Sequence, residues 1–67
     1  MSIAKVSEIS TTSSKGFQDA IEKGILRANK TLRNVKSAWI KEQQVRVKEG
    51  LITEYQVNMM VTFVIDD

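Results

Sequence analysis

The sequence is 67 residues long, contains no cysteine, histidine or proline, and carries a formal net charge of +2. These counts exclude a disulfide framework, a metal site built from thiolates or imidazoles, and a nucleophile activated by histidine. No lysine lies in an apolar setting that would depress its pKa, so we predict a binding protein rather than an enzyme. Because a chain of about 60 residues buries only about 60% of its surface on folding, we predict one small domain, residues 1–67, stabilised by association with other copies.

The N-terminal residues MSIAKVSE lack the apolar core of a secretory signal peptide. No apolar run approaches the roughly 18 residues that a membrane-spanning helix needs. We therefore predict a cytoplasmic protein without a membrane segment.

The first predicted element is a strand over Ile3–Ile9, where apolar residues alternate with one lapse. The polar run Ser10–Ser14 follows, and we predict that Ser13 or Ser14 caps the next helix, because hydroxyl side chains accept hydrogen bonds from the first helical N–H groups. A phosphate bound at this helix end is the functional alternative. Since no glycine-rich pattern accompanies the run, the spacing favours a loop with a helix cap.

A helix is predicted over Phe17–Leu32, because apolar residues recur at helical spacing along one side. Gly24 weakens a helix by about 1 kcal/mol relative to alanine, and we predict close approach of the sheet as the compensation. Leu26 lies among charged residues and is either an exposed leucine or a subunit contact. The apolar side comprises Phe17, Ile21, Ile25, Ala28 and Leu32.

Beyond Asn34 the apolar spacing changes from helical to alternating. The apolar positions over Val35–Val47 do not keep one parity. We therefore predict a long strand with a bulge or strong bend between Ile40 and Val45.

A tight turn is predicted over Lys48–Leu51, with Gly50 suited to a positive φ. The clearest strand in the sequence follows, because an apolar set alternates there with a more polar set. We predict that the apolar set covers the helix. Its members are Tyr55, Val57, Met59, Val61, Phe63 and Ile65.

This order of elements predicts an α+β fold with the path β-α-β-β and a three-stranded antiparallel sheet, in the order 1-3-2, wrapped on one helix. One helix cannot cover both faces of such a sheet, so the second face must meet other copies, a ligand or water. By strand parity this second face carries Ser37, Trp39, Gln56, Asn58 and Met60.

Trp39, the only tryptophan, has two interpretations that the residues leave open. On the second face near Gln56, its indole could stack on a flat heteroaromatic ring whose edge the amide hydrogen-bonds. It could equally pack at an interface between subunits, where tryptophan is common.

The basic residues are concentrated between Lys23 and Lys48, where eight basic residues accompany one acidic residue, Glu42. They could contact the phosphates of a nucleic acid. The low net charge and the absence of aromatic residues among the helical lysines favour a solvated helix face instead.

Four motifs, taken together, are typical of one family. They are KVSEI followed by TS, A-x-x-x-x-I-x-R-A-x-K-T-L-R-N-V from Ala20 to Val35, EG at Glu49-Gly50, and YQV followed by V-x-F from Tyr55 to Phe63. In these motifs the chain resembles the dodecins, small flavin-binding proteins that assemble into a hollow shell of twelve subunits. The resemblance covers nearly the whole chain, and implies the same β-α-β-β fold, a homododecamer and a storage protein that sequesters flavin.

In flavin-binding dodecins, a tryptophan two residues after the N-V pair stacks on the isoalloxazine ring, and a glutamine in the last strand hydrogen-bonds its pyrimidine edge. Gln56 matches that glutamine, whereas Ser37 occupies the tryptophan position. Trp39 stands two residues further on, roughly 6.6 Å along a strand. The resemblance therefore implies a site for riboflavin or FMN at Ser37, Trp39, Gln56 and Asn58, with flavin binding altered by the serine.

Two alternatives stay open beside the flavin site. The first is a shell of the same kind that binds another ligand, either coenzyme A, whose phosphates lysine and arginine could hold, or a cation such as calcium held by carboxylates. The second is a basic module that binds nucleic acid.

Overall fold

The computed structural model describes residues 3–66, which form three strands and one helix. Strand β1 (Ile3–Ser13) is followed by helix α1 (Phe17–Leu32), and strands β2 (Val35–Lys48) and β3 (Leu51–Asp66) complete the chain. β3 pairs with both other strands in the antiparallel direction, so the sheet order is β1-β3-β2. The fold predicted from the sequence is confirmed.

β1 and β3 both extend further than the alternation of apolar residues predicts. β1 continues past Ile9 through the polar run to Ser13, which lies opposite Tyr55. β3 begins at Leu51, directly after the turn. The polar run therefore belongs to the sheet, because β3 supplies backbone partners along its full length.

The predicted helix cap is wrong. Neither Ser13 nor Ser14 caps α1; the cap position is Gly16, without a capping hydrogen bond from a side chain. The Ser13 hydroxyl instead accepts a hydrogen bond from the Lys15 N–H at 2.9 Å and donates one to Asp19 Oδ2 at 2.6 Å. Ser13 thus fastens the end of β1 to the first turn of the helix from a strand position.

The hydrophobic core lies between α1 and the inward row of β3. Val57, Met59 and Val61 are completely buried, and Ala20 and Ala28 of the helix pack against them. Small residues on the helix let its backbone approach the sheet closely. These contacts confirm that the central members of the predicted apolar set, Val57, Met59 and Val61, cover the helix, whereas Ile65 at the end of the set is 53% exposed.

Gly24 marks the closest approach of the helix to the sheet. A Cβ atom at this position would lie 2.5 Å from Met59 Cε and 2.6 Å from Thr11 Cγ2. The Thr11 side chain is held in place because its hydroxyl donates a hydrogen bond to the Ala20 carbonyl at 2.9 Å. The close approach of the sheet, which was predicted to compensate for the low helix propensity of Gly24, is therefore confirmed.

The junction between α1 and β2 reverses the chain through two residues with positive φ, Arg33 at 64° and Asn34 at 51°. The Asn29 carbonyl accepts a hydrogen bond from the Arg33 N–H at 3.0 Å, and its side-chain Oδ1 accepts one from the Val35 N–H at 3.2 Å. The junction delivers Val35 to the helix side of the sheet, opposite Phe63. It thereby sets which β2 side chains point outward.

The register between β2 and β3 is irregular at three places in the described chain: Val35–Ser37, Ile40–Glu42 and Arg46–Val47. The second irregularity confirms the predicted bulge. Because side chains alternate along a strand, the extra residue Lys41 reverses the phase. Outward side chains are odd-numbered between Ser37 and Trp39 and even-numbered from Glu42 to Arg46.

A two-residue turn, Glu49-Gly50, joins β2 to β3. Both residues have positive φ, 52° and 81°, as in a type I′ hairpin turn, whose twist matches that of the strands. The positive φ predicted for Gly50 is confirmed.

The sheet is much longer than the helix that covers it. The chain extends over 52 Å in its longest dimension, whereas a 16-residue helix is about 24 Å long. Within residues 3–66, no helix is both long and apolar enough to cross a membrane. Exposed large hydrophobic side chains are numerous for so short a chain. Those among the described residues are Ile3, Val6, Leu26, Trp39, Ile40, Val47, Leu51, Ile52 and Ile65.

Candidate functional site

The sheet face that points away from α1 carries the candidate site. On this outer face β3 contributes Gln56, Asn58, Met60 and Thr62, which alternate with the buried core row. Their side chains are half-buried by neighbours on β1 and β2, although no helix of the described chain covers them. Four adjacent outward positions on a central strand thus form the floor of an open surface.

One half of the outer face is apolar and surrounds the tryptophan. Trp39 lies directly opposite Met60, and its side chain remains 52% exposed. Val6 of β1 lies opposite Thr62 and is also exposed. The indole is therefore about half exposed on the outer face, as its predicted parity requires.

The other half of the outer face is polar, and hydrogen bonds connect its side chains. The Gln56 amide nitrogen donates to Ser10 Oγ and to Asn58 Oδ1, both at 3.2 Å. The Asn58 amide nitrogen donates in turn to Glu42 Oε1 at 2.8 Å. These bonds cross all three strands and hold the two amides in fixed orientations.

Charged side chains border this polar half in cross-strand pairs. The Lys41 Nζ atom lies 3.2 Å from Glu8 Oε1. On the hairpin, Arg46 donates a hydrogen bond to Gln56 Oε1 at 2.6 Å, and its Nε atom lies 3.2 Å from Glu54 Oε1. Because the pairs are exposed, each contributes little to stability; their effect is to fix side-chain orientation around Gln56.

The four predicted site residues all lie on the outer face, but they form two groups. Gln56 and Asn58 are hydrogen-bonded neighbours, whereas Trp39 lies beside Met60, four residues from Gln56 along β3 and therefore about 13 Å away. Ser37 lies opposite Thr62, a further row away. Within one chain the structure does not bring the indole and the Gln56 amide together.

Three side chains of the polar half were not among the predicted site residues. Ser10 belongs to the run interpreted as a loop, and Glu42 and Arg46 follow the bulge, where simple alternation from Trp39 assigns the opposite face. The parity slip between Ile40 and Val45 was the signal for the last two, since it requires even-numbered residues to point outward after the bulge.

Cation binding by several carboxylates has no support in the described part of the chain. Residues 3–66 contain no cluster of three or more acidic side chains that could hold a metal ion. Glu8, Glu42 and Glu54 on the outer face are each engaged by a partner on another strand.

Comparisons with known proteins agree on one family. The family model described as Dodecin matches residues 3–66. The dodecin of Thermus thermophilus is 34% identical over 65 residues, which cover 97% of this chain and 94% of that protein.

Solved structures agree with this result. Dodecin from Streptomyces davaonensis matches with a TM-score of 0.92 and 35% identity, covering 98% of this chain and 97% of that one. A single-site variant of the T. thermophilus dodecin matches with a TM-score of 0.91 and 33% identity, covering 100% of both chains. The chain therefore belongs to the dodecin family.

Proposed function

We propose that this chain assembles into a hollow homododecamer that binds and stores a flavin, riboflavin or FMN, without catalysing a reaction. The observation that carries the proposal is the outer sheet face, where an exposed indole and a fixed pair of amides lie on one open surface. Membership of the dodecin family supports the same assignment. A cytoplasmic location stays a prediction from the sequence.

A flavin suits the two halves of this face because its ring system is planar, with one apolar end and one polar edge. The half-exposed Trp39 indole offers a stacking surface. Gln56 and Asn58 offer amide groups that hydrogen bonds already orient. Such preorganisation reduces the entropy that binding must lose.

The separation of the two groups supports a site completed by a second copy. Trp39 and Gln56 of one chain are about 13 Å apart along the sheet, so a neighbouring subunit would bring its own amide pair to the indole. The exposed large hydrophobic side chains, such as Val47 and Leu51 at the hairpin, support association as well. Assembly would then create the pocket and provide the stability that a 67-residue chain lacks.

Ser37 alters this pocket in a specific way. Its hydroxyl lies in the Thr62 row and cannot stack on an aromatic ring, so stacking would depend on Trp39, two residues away. We expect Ser37→Trp to bind riboflavin more tightly by roughly 2- to 13-fold, because an aromatic pair contributes about 0.5–1.5 kcal/mol beyond the area it buries. Ser37→Thr, which preserves the hydroxyl, is the matched control.

The test of flavin binding is fluorescence titration. Riboflavin at submicromolar concentration should be quenched by the wild-type protein, the quenching should be lost in Trp39→Ala, and it should be weakened in Gln56→Ala. Lys48→Ala, a truncation of an exposed side chain on the hairpin, controls for general effects of truncation. No quenching at micromolar wild-type protein would overturn the flavin assignment.

Assembly and the remaining ligands are tested separately. Sedimentation velocity should give a mass near twelve chains, and a monomer in dilute buffer would overturn the shell. Calorimetric titration with coenzyme A and with calcium tests the two alternative ligands of such a shell. Titration with a random oligonucleotide tests whether the chain is a nucleic-acid-binding module, because the affinity of such a module would fall steeply as the salt concentration rises.

A further inference from the structure

We propose that Arg46 contacts the bound ligand directly and acts with Gln56 as a single recognition unit for an imide edge, that is, an N–H group between two carbonyls. The inference rests on the proposed flavin function and names the side chain that reads the polar edge of the ring. It starts from the hydrogen bonds that Gln56 makes in the free chain.

Gln56 has little free hydrogen-bonding capacity. Its amide nitrogen has two N–H groups, and these donate to Ser10 Oγ and Asn58 Oδ1. Its Oε1 atom has two lone pairs, one of which accepts the hydrogen bond from Arg46 at 2.6 Å. Among its contacts in the described chain, what remains for a ligand is one acceptor site on Oε1.

Arg46 supplies the donors that Gln56 lacks. A guanidinium group has five N–H donors; one is used on Gln56 Oε1, and Nε lies beside Glu54 Oε1 at 3.2 Å. Three donors therefore remain on a side chain that is more than half exposed. Gln56 and Arg46 together therefore present the free acceptor site of Oε1 beside the charged N–H donors of the guanidinium.

This arrangement complements an imide. The Gln56 oxygen can accept the imide N–H while Arg46 donates to a flanking carbonyl. The pyrimidine edge of a flavin has this pattern, and it is common to riboflavin and FMN. Glu54 also holds the guanidinium, through Nε, which limits the rotamer entropy lost on binding.

The positive charge also predicts an effect that a neutral donor would not have. A cation beside the imide favours its deprotonated form, so the pKa of the imide N–H should be lower in the bound flavin when Arg46 is present. A structural role of Arg46 in the hairpin would leave this pKa unchanged.

The experiment compares wild type, Arg46→Ala and Arg46→Lys, with Lys48→Ala as the matched control that removes one exposed cation from the same strand. Dissociation constants for riboflavin and FMN are measured by fluorescence quenching at fixed ionic strength. We expect Arg46→Ala to weaken both ligands equally, by roughly 10- to 100-fold, and Arg46→Lys to restore part of the loss. Lys48→Ala should match wild type.

The second readout is the alkaline titration of protein-bound riboflavin, followed by its absorbance. The midpoint should move upward in Arg46→Ala and return part of the way in Arg46→Lys. Circular dichroism and sedimentation confirm that each variant folds and assembles.

Three results would overturn the role of Arg46 while leaving flavin binding intact. They are unchanged affinity in Arg46→Ala, tighter binding in that variant, which would make Arg46 a competitor for Gln56, and weakening for FMN alone, which would place the guanidinium on the phosphate. If wild-type protein quenches neither flavin, the proposed function and this inference both fail.

Discussion

The two faces of β3 carry adjacent residues of one strand, yet they are in different states of completion. On the helix side Val57, Met59 and Val61 have no solvent exposure. On the outer side Gln56 and Asn58 are only half-buried, and hydrogen bonds from three strands orient them. The helix covers the first face, whereas no helix of the described residues covers the second.

The difference shows how a small chain divides its residues between stability and binding. Apolar contacts on the helix side provide the free energy of folding, and small helix residues such as Ala20 and Gly24 maximise contact there. On the outer face the side chains orient one another, which adds little stability. Under the proposed flavin function, this orientation would lower the entropy cost of binding. Substitutions on the two faces should therefore separate into stability effects and binding effects.

The largest expected effect comes from two neighbouring methionines on opposite faces. Met59→Ala should lower the free energy of unfolding by about 2–5 kcal/mol, because it leaves a cavity in a fully buried site. Met60→Ala, beside Trp39 on the outer face, should cost much less in the subunit and should mainly weaken flavin binding and assembly. Urea unfolding at equal protomer concentration measures the first effect, and flavin titration measures the second.

If Met59→Ala and Met60→Ala lowered the free energy of unfolding equally, the division between a stabilising face and a binding face would be contradicted. Since association stabilises folded subunits by mass action, the urea midpoints are compared at several protein concentrations. A difference between Met59→Ala and Met60→Ala that disappears on dilution would assign the stability to the interface rather than to the core.

A smaller effect is expected at Gly24. Gly24→Ala places a Cβ against Met59 Cε and Thr11 Cγ2. Overpacking costs about 1–3 kcal/mol, and the better helix propensity of alanine returns about 1 kcal/mol. We expect a net loss of about 1 kcal/mol, measured by thermal or urea unfolding.

The double variant Gly24→Ala/Thr11→Ser sharpens this measurement. Serine retains the hydroxyl that bonds the Ala20 carbonyl but removes Cγ2, the less mobile of the two clashing atoms. The double variant should recover part of the stability lost in Gly24→Ala. If instead the two losses add, the clash with Thr11 is not the cause.

The smallest effect concerns Asp19, at the start of the helix. The hydrogen bond from Ser13 and the proximity of Lys23 hold the pKa of Asp19 below its usual value of 3.8. A carboxylate with a depressed pKa in the folded state contributes stability above its unfolded pKa, and this contribution is lost as the pH falls through the folded pKa. Wild type should therefore lose stability in acid slightly more steeply than Ser13→Ala.

Carboxyl NMR titration measures this effect directly. The pKa of Asp19 should rise toward 3.8 in Ser13→Ala and in Lys23→Ala, because the hydroxyl and the ammonium group each favour the carboxylate. An unchanged pKa in both variants would remove the proposed link between β1 and the helix.

Most of the fold followed from patterns that depend on burial. The helix over Phe17–Leu32, the sheet order and the outward parity of Trp39 were predicted because a single face of each element is apolar, and burial allows one arrangement of such faces. The close approach of the sheet at Gly24 was predictable because glycine weakens a helix, and the space that a Cβ would occupy is taken by side chains of the sheet.

The errors occurred where polar residues could satisfy two structures equally well. Serine is compatible both with a helix cap and with a strand end. Ser13 lies in the strand because Tyr55 of β3 is available as its pairing partner. The parity slip could have placed Arg46 on the outer face, but its contact with Gln56 could not be predicted from sequence, because it depends on strand register.

The bulge at Lys41 adds one residue to β2 without shifting the pairing that follows it, because Ile40 lies opposite Met59 and Glu42 lies opposite Asn58, the adjacent residue of β3. Deleting Lys41 would therefore place Glu42 directly after Ile40 and leave Glu42 and Arg46 on the outer face. The deletion would remove the cation that pairs with Glu8 but would preserve the amide network and the guanidinium beside Gln56. A related chain could thus lose this codon and keep the polar half of its outer face, whereas an insertion within the regular pairing after Glu42 would turn Arg46 toward the helix.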